Sequence, residues 1–230
     1  MTTKELYQKA SEITTSLKFK NKYTWAAFHK LINARVFTLN EAFKNQTPLN
    51  DFVKSNGSIM IFPTIVNGKM TGSIIRSIEN GAILKYKSVN MPYGIGKLRK
   101  DFKYGDPIFI VEGIADYAAI KLLGKDIDVV AMQTVEISHA LYELYSSVTN
   151  NIILIPDNDE RGQIAVKRMK YKLKGLGVNV NVINQYGMMK DTGELLELAM
   201  MVDRTDSSSL KEELALIASY YRHQINLYRS

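Results

Sequence analysis

Glu112, Asp116, Asp157 and Asp159 are the residues whose types and spacing could do chemistry. Glu112 closes the apolar run Ile108-Phe-Ile-Val and is followed by Gly113, with Asp116 four residues further on. Asp157 and Asp159 close a second apolar run, Ile152-Ile-Leu-Ile-Pro156, and Gly162 stands three residues beyond. Short apolar runs bounded by turn signals suit strands buried on both faces of a parallel sheet. Carboxylates just past such strands stand at the carboxyl edge of the sheet, where open α/β folds place their ligands. Side chains alternate along extended chain, so Asp157 and Asp159 project to one side if the strand geometry persists that far. Glu112 and Asp116 share a helix face if a helix starts near Gly113. Carboxylates gathered at one edge repel each other unless a cation neutralises them. Oxygen donors without cysteine or a local histidine cluster favour a hard ion, Mg2+ or Mn2+, which keeps waters and binds substrate phosphates. Each residue also has a plainer reading: Asp157 or Asp159 as a helix cap, Glu112 as an exposed turn residue. Capping alone explains the full order, with its two glycines, poorly.

The elements that must position these acids are legible in outline. From Pro107 onward the pattern alternates strand and helix. A helix runs from Tyr117 to Leu123 and ends at Gly124, a strand covers Asp128-Val-Val-Ala-Met, and a helix continues through Tyr145. The strand Ile152–Ile155 precedes a helix over Gln163–Leu173, and Val178-Asn-Val-Asn-Val-Ile alternates as a fourth strand. The order β-α-β-α-β-α-β predicts a mostly parallel four-stranded sheet between helices. The basic residues from Lys167 to Lys174 read as a solvated outer helix face. A Ser209-x-x-Glu212 capping box opens a C-terminal helix to about Tyr228.

The first half has a different texture. Residues 1–56 read as helical, with Trp25, Phe28, Leu31 and Ile32 as core positions and Thr38 and Thr47-Pro48 as further helix starts. From Gly57 the chain turns strand-like: Ser58-Ile-Met-Ile-Phe, the Asn67-Gly68 turn, Lys69 to Arg76, then Glu79-Asn80-Gly81 and a third run. This predicts an antiparallel meander. Lys85, Lys87, Lys97, Arg99, Lys100 and Lys103 follow with four interleaved aromatics, a composition that suits phosphate contacts and base stacking. Residues 1–106 hold 17 Lys+Arg against 7 Asp+Glu, whereas 107–230 hold 13 against 16, within a net charge of +7. A basic half joined to one bearing an acidic cluster fits a polyanion held by one part and processed by the other. The domain reading is therefore a helical region at 1–56, a basic β subdomain at 57–104, an α/β domain at 105–200 and a C-terminal helix at 201–230.

Several function classes fall away. Zero cysteine excludes disulfides and Cys-ligated zinc or iron–sulfur sites. No apolar run is long enough to span a membrane, and the first residues lack a signal-peptide core, so the chain is expected in the cytoplasm. His29, His139 and His223 have no ligand spacing, and no nucleophile triad is visible. Gly94-Ile-Gly96-Lys97 lacks the spacing and the hydroxyl residue of a phosphate-binding loop.

Glu112-Gly-x-x-Asp116 followed by Asp157-x-Asp159-x-x-Gly162 resembles the signature of the Toprim domain, shared by DNA primases, type IA and II topoisomerases and some nucleases. The resemblance implies divalent-metal phosphodiester chemistry, with the glutamate in acid–base or metal roles and the Asp-x-Asp pair on metal. Phe62-Pro63, Gly72, Arg76 and the stretch Lys85-Tyr86 to Tyr93-Gly94 are similar to the segment preceding the Toprim domain of primases, which handles template and incoming nucleotide. Lys190-Asp191-Thr-Gly-Glu194 resembles the primase Lys-Asp-Pro-x-Glu segment, which makes Asp191 a further candidate ligand. Gly193 departs from it, standing where many primases have a second aspartate. A helix cap is the plainer role for Asp191.

Taken together these features predict a primase-type nucleotidyltransferase making short primers on single-stranded DNA from nucleoside triphosphates. Glu112, Asp157, Asp159 and Asp191 would hold Mg2+ or Mn2+, with Glu112 and Asp116 as the catalytic pair. Arg76, Lys85, Lys97, Arg99 and Lys100 would meet template and triphosphate. Without a zinc ribbon or Walker motif, it would prime with relaxed specificity or use a helicase or zinc-ribbon protein in trans. Size and Lys/Asn-rich composition would suit a phage or mobile element. The rivals are a metal-dependent nuclease and a non-catalytic module for single-stranded DNA or a replication protein.

Overall fold

The computed structural model describes residues 35–37, 59–66, 69–77, 83–86, 92–132, 138–205 and 207–229. The chain divides into two compact units, Met1–Gly96 and Lys97–Ser230.

In the first unit, strands β1 (Arg35–Phe37), β2 (Ile59–Val66), β3 (Lys69–Ser77) and β4 (Ile83–Tyr86) form an antiparallel sheet in sequence order. Val66 pairs with Lys69, the register a two-residue turn at Asn67-Gly68 predicts, and a bulge follows Thr64. Phe62 pairs with Ile74; both are buried, and Tyr93 meets the Phe62 ring edge-on at 6.3 Å between centroids. β1 corrects the all-helical reading of 1–56 at Arg35-Val-Phe, which pairs with Ile59–Ile61. Three residues are too few to show a period of two, so only the partner strand reveals them. The helix positions expected elsewhere in 1–56, and the Glu79–Gly81 turn, lie outside the described residues.

The second unit contains the α/β order expected for 105–200 and the C-terminal helix expected after it. Its order is β5 (Ile108–Val111), α1 (Ile114–Leu123), β6 (Val129–Ala131), α2 (His139–Val148), β7 (Asn151–Ile155), α3 (Glu160–Lys174), β8 (Asn179–Val182), α4 (Gly193–Thr205) and α5 (Ser208–Arg229). The four strands lie parallel in the order β6-β5-β7-β8. β5 and β7 take the centre because Ile108–Val111 and Ile152–Ile155 are apolar on both faces, and all eight side chains are buried. Each such side chain contributes about 1.5–3 kcal/mol relative to exposure. β8 takes the edge, where its alternating Asn-Val-Asn-Val can be half-exposed. α3 buries Ala165, Val166, Met169 and Leu173 and turns the rest outward. Gly177, at φ +76°, supplies the left-handed residue that reverses the chain into β8.

Polar groups at the amino edge of this sheet are thoroughly paired. The Asp128 carboxylate, just before β6, accepts the Arg99 backbone N–H at 2.7 Å and its Nε at 2.6 Å. Arg99 Nη2 reaches Asp106, before β5, at 3.1 Å, and Thr149 Oγ1, before β7, donates to the Asp106 carbonyl at 2.7 Å. Lys121 Nζ closes the end of α1 on the carbonyls of Lys125 and Ile127. Among the described residues no helix is long and apolar enough to cross a membrane.

Candidate metal centre at the carboxyl edge

β5 delivers Glu112 as the first residue past its buried run, and Gly113 in extended conformation caps α1. Asp116 is the third residue of that helix and is only 6% exposed. One oxygen accepts the Gly113 amide at 2.9 Å, and the other the Gly193 amide at 2.7 Å. The carboxylate thus joins the starts of α1 and α4. Burial first, and then the charge of Asp191, push its pKa up to about 7, against the two amides that favour the ionised form.

β7 delivers Asp157. The extended alternation stops at Pro156: Asp157 is half-buried, while Asp159 is exposed and caps α3, its Oδ1 accepting the Gly162 amide at 2.7 Å. The capping reading of Asp159 is realised, and its second oxygen is not used in the cap. Gly162 is needed for close approach, because a Cβ there would lie 2.3 Å from the Asp157 carbonyl oxygen. Asp157 Oδ1 is buried without a hydrogen-bond partner. Burial, then the charges of Asp116, Glu112, Asp191 and Asp159, push its pKa up to about 7. Glu112 is raised as well, by burial and then Asp159, with Lys190 and Arg161 pulling the other way.

Asp191 arrives on the loop after β8. That loop is tied to the Asp157 turn by the Asn158 amide on the Lys190 carbonyl (2.6 Å) and by Gln185 Nε2 on the Pro156 carbonyl (2.6 Å). Gln185 also meets Thr192 and accepts from the Tyr221 hydroxyl of α5, which in turn accepts the Tyr186 amide at 3.2 Å. A Cβ on Gly193 would lie 2.9 Å from Asp191 Oδ1 and 3.2 Å from that of Ala115. The glycine therefore leaves room for Asp191 where a larger residue would crowd it.

The structure brings Glu112, Asp116, Asp157, Asp159 and Asp191 within electrostatic reach of one another. It also adds Lys190 and Arg161, cations the spacing argument had not singled out. Lys100 is exposed. Arg99 and Lys97 lie elsewhere: Arg99 is bound to the amino-edge acids, and Lys97 is half-buried near Lys121, with burial and then that neighbouring charge lowering its pKa to about 8. Arg99 thus ties together the acids that precede β5 and β6. Arg76 pairs with Met60 and Ile83, and Lys85 with Ile74, in the backbone register of the antiparallel sheet. Gln185, Thr192 and Tyr221 were missed; no local pattern links residues 36 apart.

Among the described residues no three acidic or histidine side chains form a ready-made cation cage. The donor set still fits a hard divalent ion. It is all oxygen, it repels itself, and it includes a buried carboxylate oxygen without a partner. An ion held by one or two carboxylates and water needs no full protein cage.

Comparison with known proteins gives first the class. Residues 109–196 match the Toprim-like family and form a Toprim-like domain. Beyond that domain, the fold of nearly the whole chain is that of primase catalytic cores. A DNA primase domain from Pseudomonas aeruginosa is 15% identical, with 96% of this chain and 81% of that one covered and a TM-score of 0.62. The DnaG catalytic core is 14% identical over 98% and 89%, with a TM-score of 0.57. The DnaG primase catalytic domain bound to ssDNA is 14% identical over 96% and 82%, also at 0.57. By sequence, the uncharacterized MG010 homolog of Mycoplasma pneumoniae is 24% identical over 155 residues, 65% of this chain and 71% of that protein.

Proposed function

We propose that the chain is a primase-type nucleotidyltransferase, joining nucleoside triphosphates into short oligonucleotides on single-stranded DNA. One observation carries the reading: the likeness to primase cores covers 96–98% of this chain, not only its Toprim-like domain. A nuclease sharing the acidic edge alone would not need the first unit.

Glu112, Asp157, Asp191 and the uncapped oxygen of Asp159 would hold Mg2+ or Mn2+. Bound there, the ion lowers the pKa of an attacking hydroxyl and neutralises charge on the phosphates. Glu112, whose carboxyl lies above the usual range, is suited to take the proton from the attacking 3′-hydroxyl. Asp116 does not touch substrate in this reading; with both oxygens on backbone amides, it positions the Glu112 turn against the Asp191 loop. Lys190 and Arg161 stand near Glu112 and supply charge for the triphosphate, whose α-phosphate joins the 3′-oxygen while its β- and γ-phosphates leave as pyrophosphate. Arg76, Lys85 and Lys100 remain candidate template contacts.

The test is gel analysis of labelled nucleoside triphosphates on single-stranded DNA with Mg2+ or Mn2+, wild type beside Asp157→Ala/Asp159→Ala. Oligonucleotides made only by wild type are expected. Degraded template without synthesis would move the assignment to a nuclease, and neither product would leave a binding module.

A further inference from the structure

Apart from Arg161, the outer surface of α3 holds a dense positive charge that the metal centre does not use. From Arg161 to Lys174 this helix carries six cations and no acid, and all six are exposed. None forms an ion pair with a described residue. Arg168/Lys172 and Lys170/Lys174 set like charges four apart, which disfavours the helix. Lys172 and Lys174 lie in the last turn, where the helix dipole favours cations. That accounts for Lys172 and Lys174, but not for Arg161 and Arg168, which share one side with Lys172 at i, i+7 and i+11.

The row has a direction. Arg161 begins it within electrostatic reach of Glu112, and Arg168 continues it near the Tyr142 hydroxyl of α2. Lys172 ends it at an open groove of about 590 Å³ lined by His139, Tyr142, Tyr171 and Leu176. Tyr171 is 79% exposed, an aromatic face left in water beside the cations.

We propose that this groove and the cation row leading to it bind the single-stranded DNA template, with phosphates on Arg168 and Lys172 and a base stacked on Tyr171. Cations without ion-pair partners release counterions when a phosphate chain docks, and an exposed tyrosine such as Tyr171 stacks a base regardless of sequence. The groove lies roughly 18 Å along α3 from the acidic edge, at 1.5 Å per residue. A product does not span that distance as synthesis begins, whereas a template strand is present throughout. The inference rests on the polynucleotide reading above.

Fluorescence anisotropy of a labelled oligo-dT of about 16 nucleotides, with the full chain and neither metal nor nucleotide, tests it. Arg168→Ala/Lys172→Ala should weaken binding about tenfold at roughly 0.1 M salt and flatten the salt slope by about 1.4, or about 0.7 per phosphate. Tyr171→Ala should weaken it about fivefold or more with the slope unchanged. Thermal melts check that the variants fold. Because the chain lacks cysteine, a photocrosslinker on Lys174→Cys, at a residue that lines the groove, can be placed uniquely. It should capture the DNA, whereas one on Glu213→Cys in α5 should not. Unchanged affinity and slope in both variants, or capture only from position 213, would overturn the proposal. So would tighter binding of oligo-rU through the same residues, which would make the groove a product site. Loss of polyglutamate binding with DNA binding intact would point instead to an acidic protein. A wild type that binds through these residues but makes no oligonucleotide would sink the primase reading alone.

Discussion

The two edges of the parallel sheet use the same residue types to opposite ends. At the amino edge Asp128 is 4% exposed and takes two hydrogen bonds from Arg99, which also holds Asp106. At the carboxyl edge Asp157 has a buried oxygen with no partner, and its neighbours are acids. One edge satisfies its charges within the chain, whereas the other leaves them for something that must arrive. That division follows the general placement of ligands at the carboxyl ends of parallel strands. It should also separate residues whose loss destabilises the fold from residues whose loss ends synthesis.

The comparison breaks most visibly at Asp157. Asp157→Asn should reduce oligonucleotide synthesis by about a hundredfold or more, beyond the usual effect of outer-shell partners. It should also raise the metal-free melting temperature, because it removes an unpaired buried charge. Kinetics and calorimetry on the same preparation check both, and a lowered melting temperature would refute the contrast. Asp128→Ala should do the reverse. It strips Arg99 of its main partner and should destabilise the fold by about 2–3 kcal/mol in denaturant titration, discounted for the partial exposure of Arg99. Mn2+ affinity of the folded fraction should stay unchanged.

A smaller effect belongs to Tyr221. Tyr221→Phe removes one hydroxyl, which accepts the Tyr186 amide and donates to Gln185. Mn2+ binding, followed by electron paramagnetic resonance, should weaken by about tenfold at most, and global stability by about 1 kcal/mol. A separate effect is on pH. Asp116 and Asp157 have folded pKa values raised to about 7 from an ordinary 3.8. For carboxyls raised in this way, the folded state binds protons more tightly than the unfolded one. Their stabilisation is full below about pH 4 and is lost as pH rises through 7. In that window the metal-free melting temperature should fall as pH rises, and Mg2+ should flatten the trend.

Most of the second unit was legible because its strongest signals are local. Ile108–Val111 and Ile152–Ile155 are continuous apolar runs, and such runs bury on both faces whatever follows them. The acids after them could be placed at the carboxyl edge from strand order alone. Arg99 was not legible. Its partner Asp128 is 29 residues away, and a lysine- and arginine-rich loop reads alike whether it grips a phosphate or an internal carboxylate. Gln185 and Tyr221 were invisible for the same reason, and β1 because three residues carry no period. Asp159 shows a further limit: a cap and a ligand present the same residue at the same position, and here Oδ1 serves the cap while the other oxygen is left over.

Asp116 has a consequence in time as well as in space. Its bond to the Gly193 amide joins positions 77 residues apart, after every strand of the sheet has been laid down in sequence. Contacts of such separation form late, once loop closure has been offset by nearer ones. Substitution at Asp116 should therefore accelerate unfolding and leave the refolding rate nearly untouched, a φ-value close to zero. The folding chain should therefore order its sheet before its acidic edge, and the scaffold should precede the site it carries.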